Sequence, residues 1–217
     1  MSSTYSTQAI VLQIKPWQEY DGQACCYTKD YGKLELLVRG WQKFACKLTG
    51  HLQPFNLVKL MVINGRHQTY AGAAGCLDSR LHLKNDLDKL QAAGYLINNF
   101  ERLVKIQEVD TQLFLILETA LRLLNLSRSQ RLWYEFIVQA ALLQILARLG
   151  YRPKLNLNGG VIDFSYPLTR PASPAVMVNL RIILSNDLLT AVRQVNKSAG
   201  VIKTFNQLTG EMVRLIF

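Results

Sequence analysis

From Leu36 to Leu77 the sequence contains no Asp or Glu, although the chain as a whole carries 15 acidic residues against 25 basic ones. Other scarcities narrow the field further. Cysteine occurs four times: Cys25 and Cys26 are adjacent, Cys46 and Cys76 stand alone, and none follows. That is neither a disulfide framework nor a paired metal-ligand pattern, and it suits a reducing compartment. The three histidines, His51, His67 and His82, have no partner at helical ligand spacing. The most apolar stretch, Leu132 to Leu149, is broken by Glu135, Gln139, Gln144 and Arg148, too polar for a membrane-spanning helix. Residues 1–14 lack the basic start of a secretory signal. Gly72-Ala73-Ala74-Gly75 lacks the Lys-Ser/Thr of a phosphate-cradling loop and is expected to be a strand-end turn. No local pattern pairs a nucleophile with a base, and Asp86 and Asp88 suit a helix start better than acid catalysis. The expectation is a cytoplasmic protein, not an enzyme, with no metal and no other cofactor.

What is present is positive charge, +10 net. A surplus of that size points to a polyanion, either nucleic acid or an anionic surface. It is spread unevenly: +4 over residues 1–80, +1 over 81–150 and +5 over 151–217.

Hydrophobic spacing divides the chain into three parts. Over 1–80 it has a period of two, the mark of strands. Ile10, Leu12 and Ile14 alternate with Val11, Gln13 and Lys15, and Leu34, Leu36 and Val38 with Lys33, Glu35, Leu37 and Arg39 after a Tyr31-Gly32 turn. A further strand is expected near Ala24 to Thr28. Leu57 to Ile63 leads into Asn64-Gly65, a hairpin signal because both turn positions call for positive φ, and His67 to Cys76 returns. About five short strands suit a small Greek-key barrel. Over 81–153 the spacing becomes helical. Leu83, Leu87, Leu90 and Ile97 form one stripe, beside Leu96, Phe100 and Leu103. Asp110 is placed to cap a second helix, and a third runs from about Ser129 until Gly150 and Pro153 end it. In 154–217 the pattern weakens: Asn156 to Gly160 and the prolines at 167, 171 and 174 read as loop. Val176 to Leu184 reads as a strand, and Asn186 to Val195 and Val201 to Phe217 as helices. The fold class is α+β: a barrel, a helical bundle, and a small mixed carboxy-terminal part packing on the bundle.

The acid-free stretch, with Lys33 just before it, holds the candidate site. Lys33 and Arg39 share one face of a strand because side chains alternate. The following loop adds Trp41, Lys43 and Lys47, and the hairpin adds Arg66. Cations tracking phosphates, with rings stacking on bases, form a single-strand binding surface. The competing reading puts Trp41 and Phe44 in the barrel core with the lysines as a solvated rim.

The order of residues resembles a known family. Trp17-Gln18-Glu19-Tyr20-Asp21, Tyr27-Thr28-Lys29-Asp30-Tyr31-Gly32-Lys33, Val38-Arg39-Gly40, Leu52-Gln53-Pro54-Phe55 and Leu149-Gly150-Tyr151-x-Pro153 are similar to RecO, a bacterial recombination mediator. The resemblance runs through residues 1–153. It implies an amino-terminal OB-fold and binding and annealing of single- and double-stranded DNA. It also implies work with RecR and with the tail of single-strand-binding protein to load RecA, at the bacterial nucleoid. That acidic, apolar tail wants an apolar groove rimmed by cations, for which Arg128, Arg131 and Arg148, on or next to the third helix, are the candidates. Gly40 to Lys47 has fewer basic residues than the family's usual loop. The four cysteines of a zinc site, common after Leu-Gly-Tyr, are absent here. Ala141-Leu142-Leu143 replaces a common aromatic-acidic pair. The residues leave DNA and RNA open, and an adaptor with little DNA affinity is the other reading.

Overall fold

The computed structural model describes residues 3–106, 108–128, 130–156, 160–163 and 169–216. Ser129, residues 157–159, Pro167 and Phe217, which carry expectations above, lie outside them. The described residues fall into two compact units. One comprises residues 1–81 and 101–118, the other 82–100 and 119–217.

The first unit is a closed five-stranded barrel. Its strands are β1 (Ser3–Trp17), β2 (Asp21–Thr28), β3 (Gly32–Val38), β4 (Leu57–Asn64) and β5 (Thr69–Asp78), with a short helix α1 (Leu48–His51) between β3 and β4. The strands run round in the order β1-β2-β3-β5-β4. β1 is long enough to pair with both neighbours, β2 from Ala9↔Thr28 to Trp17↔Asp21 and β4 from Ser3↔Asn64 to Ile10↔Leu57. Its register shifts between Val11 and Gln13, a bulge of the kind that bends a strand from one sheet into the next. The parallel pair Leu37↔Tyr70 closes the barrel. This is the OB-fold. Alternation supplies most of the core: Val11, Ala24, Cys26, Leu34, Leu36, Val38, Val58, Leu60 and Val62 are all buried, and Leu52 joins them from the end of α1.

Two local expectations change. The β4–β5 hairpin forms, but neither Asn64 nor Gly65 has positive φ. Asn64 pairs with Thr69 across a four-residue connection, residues 65–68, in which the Gly65 amide donates to the Gln68 carbonyl at 2.9 Å. Gly72-Ala73-Ala74-Gly75 lies inside β5 rather than at a turn.

Residues 101–118 belong with the barrel through buried polar contacts. The Tyr27 hydroxyl lies 3.3 and 3.2 Å from the carbonyls of Glu108 and Asp110. Gly32, at φ +67°, sits so close to this segment that a Cβ would fall 2.3 Å from the Glu108 carbonyl oxygen. Only glycine meets both demands. Arg80 is fully buried, donates to the Phe55 carbonyl at 2.9 Å, and lies 3.8 Å from Asp78 and 4.0 Å from Glu118.

The second unit is built of helices: α2 (Leu81–Lys84), most of α3 (Leu87–Leu103), the second half of α4 (Thr111–Leu126), α5 (Arg131–Arg148), α6 (Pro174–Ser185), α7 (Leu188–Gln194) and α8 (Ala199–Ile216). A three-stranded antiparallel sheet, β6 (Lys154–Asn156), β7 (Val161–Asp163) and β8 (Thr169–Pro171), joins them. Asp110 caps α4, accepting from the Gln112 and Leu113 amides at 2.8 and 3.4 Å. α5 ends as the Gly150 signal requires, with φ +98° there and the Tyr151 amide bonded to the Leu146 carbonyl at 2.8 Å. Leu96, Ile97 and Phe100 are buried, but Leu87 opens α3 and stays exposed. Residues 176–184 form helix α6, not a strand. Pro174 sits in its first turn, where the missing N–H costs nothing, and Val176, Met177, Leu180 and Ile183 are buried at helical spacing. Pro171 lies in β8, at the edge of its sheet. α5 and α8 meet through Phe136 and Phe205, their ring centroids 4.9 Å apart. The Gln144 side chain donates to the Ile183 and Asn186 carbonyls at 2.8 and 2.9 Å, satisfying the end of α6.

Candidate nucleic-acid interface

One end of the barrel gathers three connections. The β1–β2 turn holds Tyr20, the β3–α1 loop runs from Arg39 to Lys47, and the β4–β5 connection holds Arg66. The loop is tied down along its length. Gly40, at φ +63°, donates to an Asp21 carboxylate oxygen at 2.7 Å, and the Gln42 amide bonds to the Tyr20 carbonyl at 2.9 Å. Two successive turns follow, Lys43 to Gly40 at 2.9 Å and Cys46 to Lys43 at 3.0 Å. The Thr49 hydroxyl then donates to the Trp41 carbonyl at 2.9 Å. Tyr70 ties in the third connection: its ring lies 4.8 Å below the Arg39 guanidinium, and a Cβ on Gly65 would meet it at 2.8 Å.

Four of the six candidate residues stand exposed at this end: Arg39, Lys43, Lys47 and Arg66. Among the described residues none has a carboxylate partner. Lys43 sits 5.2 Å over the Tyr20 ring, a cation–π contact that steadies the ammonium without neutralising it.

Lys33 is a correction. It is only 8% exposed, and its ammonium donates to the carbonyls of Glu101 and Val104 at 2.7 and 3.4 Å, at the carboxy-terminal end of α3. Alternation does put it on the face of Arg39, but residues 101–106 cover that part of the strand, with Ile106 bridging to Lys33. A cation there satisfies orphan helix carbonyls and cannot reach a phosphate. Trp41 is the second correction. Its ring packs on the barrel core against Gly22, where a Cβ would lie 2.9 Å from the indole. It is a half-buried plug under the loop, as the competing reading of the sequence has it. Phe44, which the competing reading of the sequence puts in the core, is fully exposed. Its position between Lys43 and Lys47 was the available signal.

The three arginines do not converge. Arg128 precedes α5, Arg131 opens it and Arg148 closes it, so the last two are separated by roughly 25 Å of helix. Arg131 donates to Glu135 at 3.0 Å. It lines a cavity of about 540 Å³ between α3, α5 and α8, whose wall also holds Asp88, Glu135, Glu211 and Arg214. That lining is mixed in charge and not a basic rim.

Two of the barrel's thiols, Cys25 and Cys26, are buried in β2. Burial pushes the Cys25 thiol up to about 12, with the Glu101 carboxylate adding to the effect, and burial raises Cys26 further. Among the described residues no helix is long and apolar enough to cross a membrane.

Comparison with known proteins joins this geometry to a family. Residues 1–80 match the model described as Recombination protein O N terminal. Over those residues the chain is similar to the amino-terminal domain of RecO. The similarity extends past that domain, to about 150 residues of proteins named DNA repair protein RecO. The relative from a Roseiflexus species is 30% identical over 151 residues, 70% of this chain and 52% of the relative. That of Gloeothece citriformis is 28% identical over 155 residues, 71% and 54%, and that of a Thermoanaerobacter species 23% over 150 residues, 69% and 59%. The chain therefore spans little more than half the length of these RecO proteins.

Proposed function

We propose that this chain is a DNA-repair and recombination mediator that binds single- and double-stranded DNA through the open end of its barrel. On this reading it anneals complementary strands and helps load RecA together with RecR and single-strand-binding protein, without catalytic turnover, in the bacterial cytoplasm at the nucleoid. One observation carries it: an acid-free stretch in a RecO OB domain brings Arg39, Lys43, Lys47 and Arg66 to a single tied-down end, each without a carboxylate partner among the described residues. Such cations release condensed counterions when they meet phosphates, and that release drives sequence-independent binding.

The test is annealing of complementary oligonucleotides, bare and coated with single-strand-binding protein. Acceleration in both is expected. With four cations and roughly 0.7 per phosphate, the logarithm of single-strand affinity should fall with the logarithm of salt at a slope of about 3. No binding and no annealing would refute the reading. A synthetic acidic tail peptide that binds while DNA does not would favour the adaptor instead. The cavity beside α5 is the surface to map in that case, although its carboxylates oppose an acidic ligand.

A further inference from the structure

We infer that Phe44 is the base-stacking residue of this interface and gives it a preference for unpaired strands. The inference rests on the nucleic-acid reading above and deepens it. Phe44 is the most exposed large hydrophobic side chain described, with its whole surface in water. That exposure does not come from a loose loop. The backbone on either side is held by the turns at Gly40–Lys43 and Lys43–Cys46 and by the Asp21, Tyr20 and Thr49 bonds. Trp41, three residues earlier, uses the same scaffold to face inward. One aromatic thus fastens the loop and the other is presented by it.

The surroundings select the occupant. Lys43 and Lys47 flank the ring in sequence, Arg39 stands at the start of the same loop, and no acidic residue occurs from Leu36 to Leu77. An apolar partner protein or a second copy of this chain would gain nothing from that cationic border. A polyanion carrying flat π-faces uses both the charge and the ring: the phosphates meet the lysines while a base lies on the phenyl face. In a duplex the bases are already stacked on one another, so a ring can reach them only by prising a step apart. Single strands therefore gain from Phe44 and duplexes do not.

The experiment compares Phe44→Ala, Phe44→Leu and Phe44→Trp in the full chain, with labelled oligothymidine and a hairpin duplex as probes and Lys43→Ala/Lys47→Ala as control. Phe44→Ala and Phe44→Leu should each weaken oligothymidine binding by about 5- to 100-fold with the salt slope and the thermal midpoint unchanged. Phe44→Trp should restore it, and duplex affinity should stay constant throughout. Restoration by Leu would mean apolar contact without stacking, and equal losses on duplex would mean wedging; either overturns the inference. So does full affinity in Phe44→Ala while the lysine control still lowers the salt slope, a result that leaves the interface reading standing. Failure of the unaltered protein to bind either probe overturns both.

Discussion

The barrel end and the cavity beside α5 both display arginine or lysine at an exposed surface, but their neighbours differ. At the barrel end Arg39 and Lys43 lie over tyrosine rings, and the nearest sequence in either direction supplies no carboxylate to Lys43 or Lys47. Beside α5, Arg131 is held by Glu135 at 3.0 Å and Arg170 by Glu211 at 3.2 Å. An ion pair screens its own cation, so the second surface has little field to offer a polyanion. Net charge locates a binding face only after internal pairing is subtracted. Lys33 makes the same point inside the barrel unit: a cation committed to helix carbonyls no longer counts toward the interface.

Substitutions can break this contrast at several points. The largest expected effect belongs to Trp41→Ala. Removing the plug leaves a void above Gly22 and should cost about 2–4 kcal/mol in chemical denaturation, with DNA affinity falling only as the loop loses its shape. If stability is untouched and affinity alone collapses, Trp41 is a contact residue after all. Next comes Lys43→Ala/Lys47→Ala, which should lower the single-strand salt slope by about 1.4 and the affinity at 0.1 M salt by about 25-fold, with no change in thermal midpoint. Third, Lys33→Met should do the reverse. It strands the carbonyls of Glu101 and Val104 and should lose on the order of 1–2 kcal/mol of stability while the salt slope stays constant. A changed slope in Lys33→Met would restore this lysine to the binding face. The smallest effect is expected for Arg131→Ala, within about 0.5 kcal/mol, because an exposed i,i+4 pair contributes little. Its DNA affinity, measured by anisotropy, should match that of the unaltered chain.

Much of the barrel was legible in the sequence because its signals are local. The alternation of Leu34, Leu36 and Val38 makes a half-buried strand wherever it occurs, and Asn64-Gly65 marked a hairpin even though the turn takes another geometry. Asp110 and Gly150 marked helix ends for the same reason: capping depends on a few neighbouring residues. What the sequence hid depends on distant segments. Lys33 alternates like an exposed strand residue, and only the arrival of residues 101–106 converts it into a buried one. Trp41 and Phe44 stand three apart in one loop with similar neighbours, and the bare space above Gly22 decides which turns inward. Val176 to Leu184 is rich in β-branched and aliphatic residues, the composition of a strand. Its helix is set by Pro174 at the start and by burial at helical spacing.

The chain's path between its two compact units has a practical consequence for anyone dissecting the molecule. It leaves the barrel unit after residue 81, returns for 101–118 and leaves again, so no single cut separates the two. A fragment ending at residue 80 would keep every barrel strand, yet it would expose the Tyr27 hydroxyl and strand the Lys33 ammonium, whose acceptors lie on Glu101, Val104, Glu108 and Asp110. A fragment carried through to residue 118 retains those acceptors, together with the Glu118 carboxylate beside Arg80.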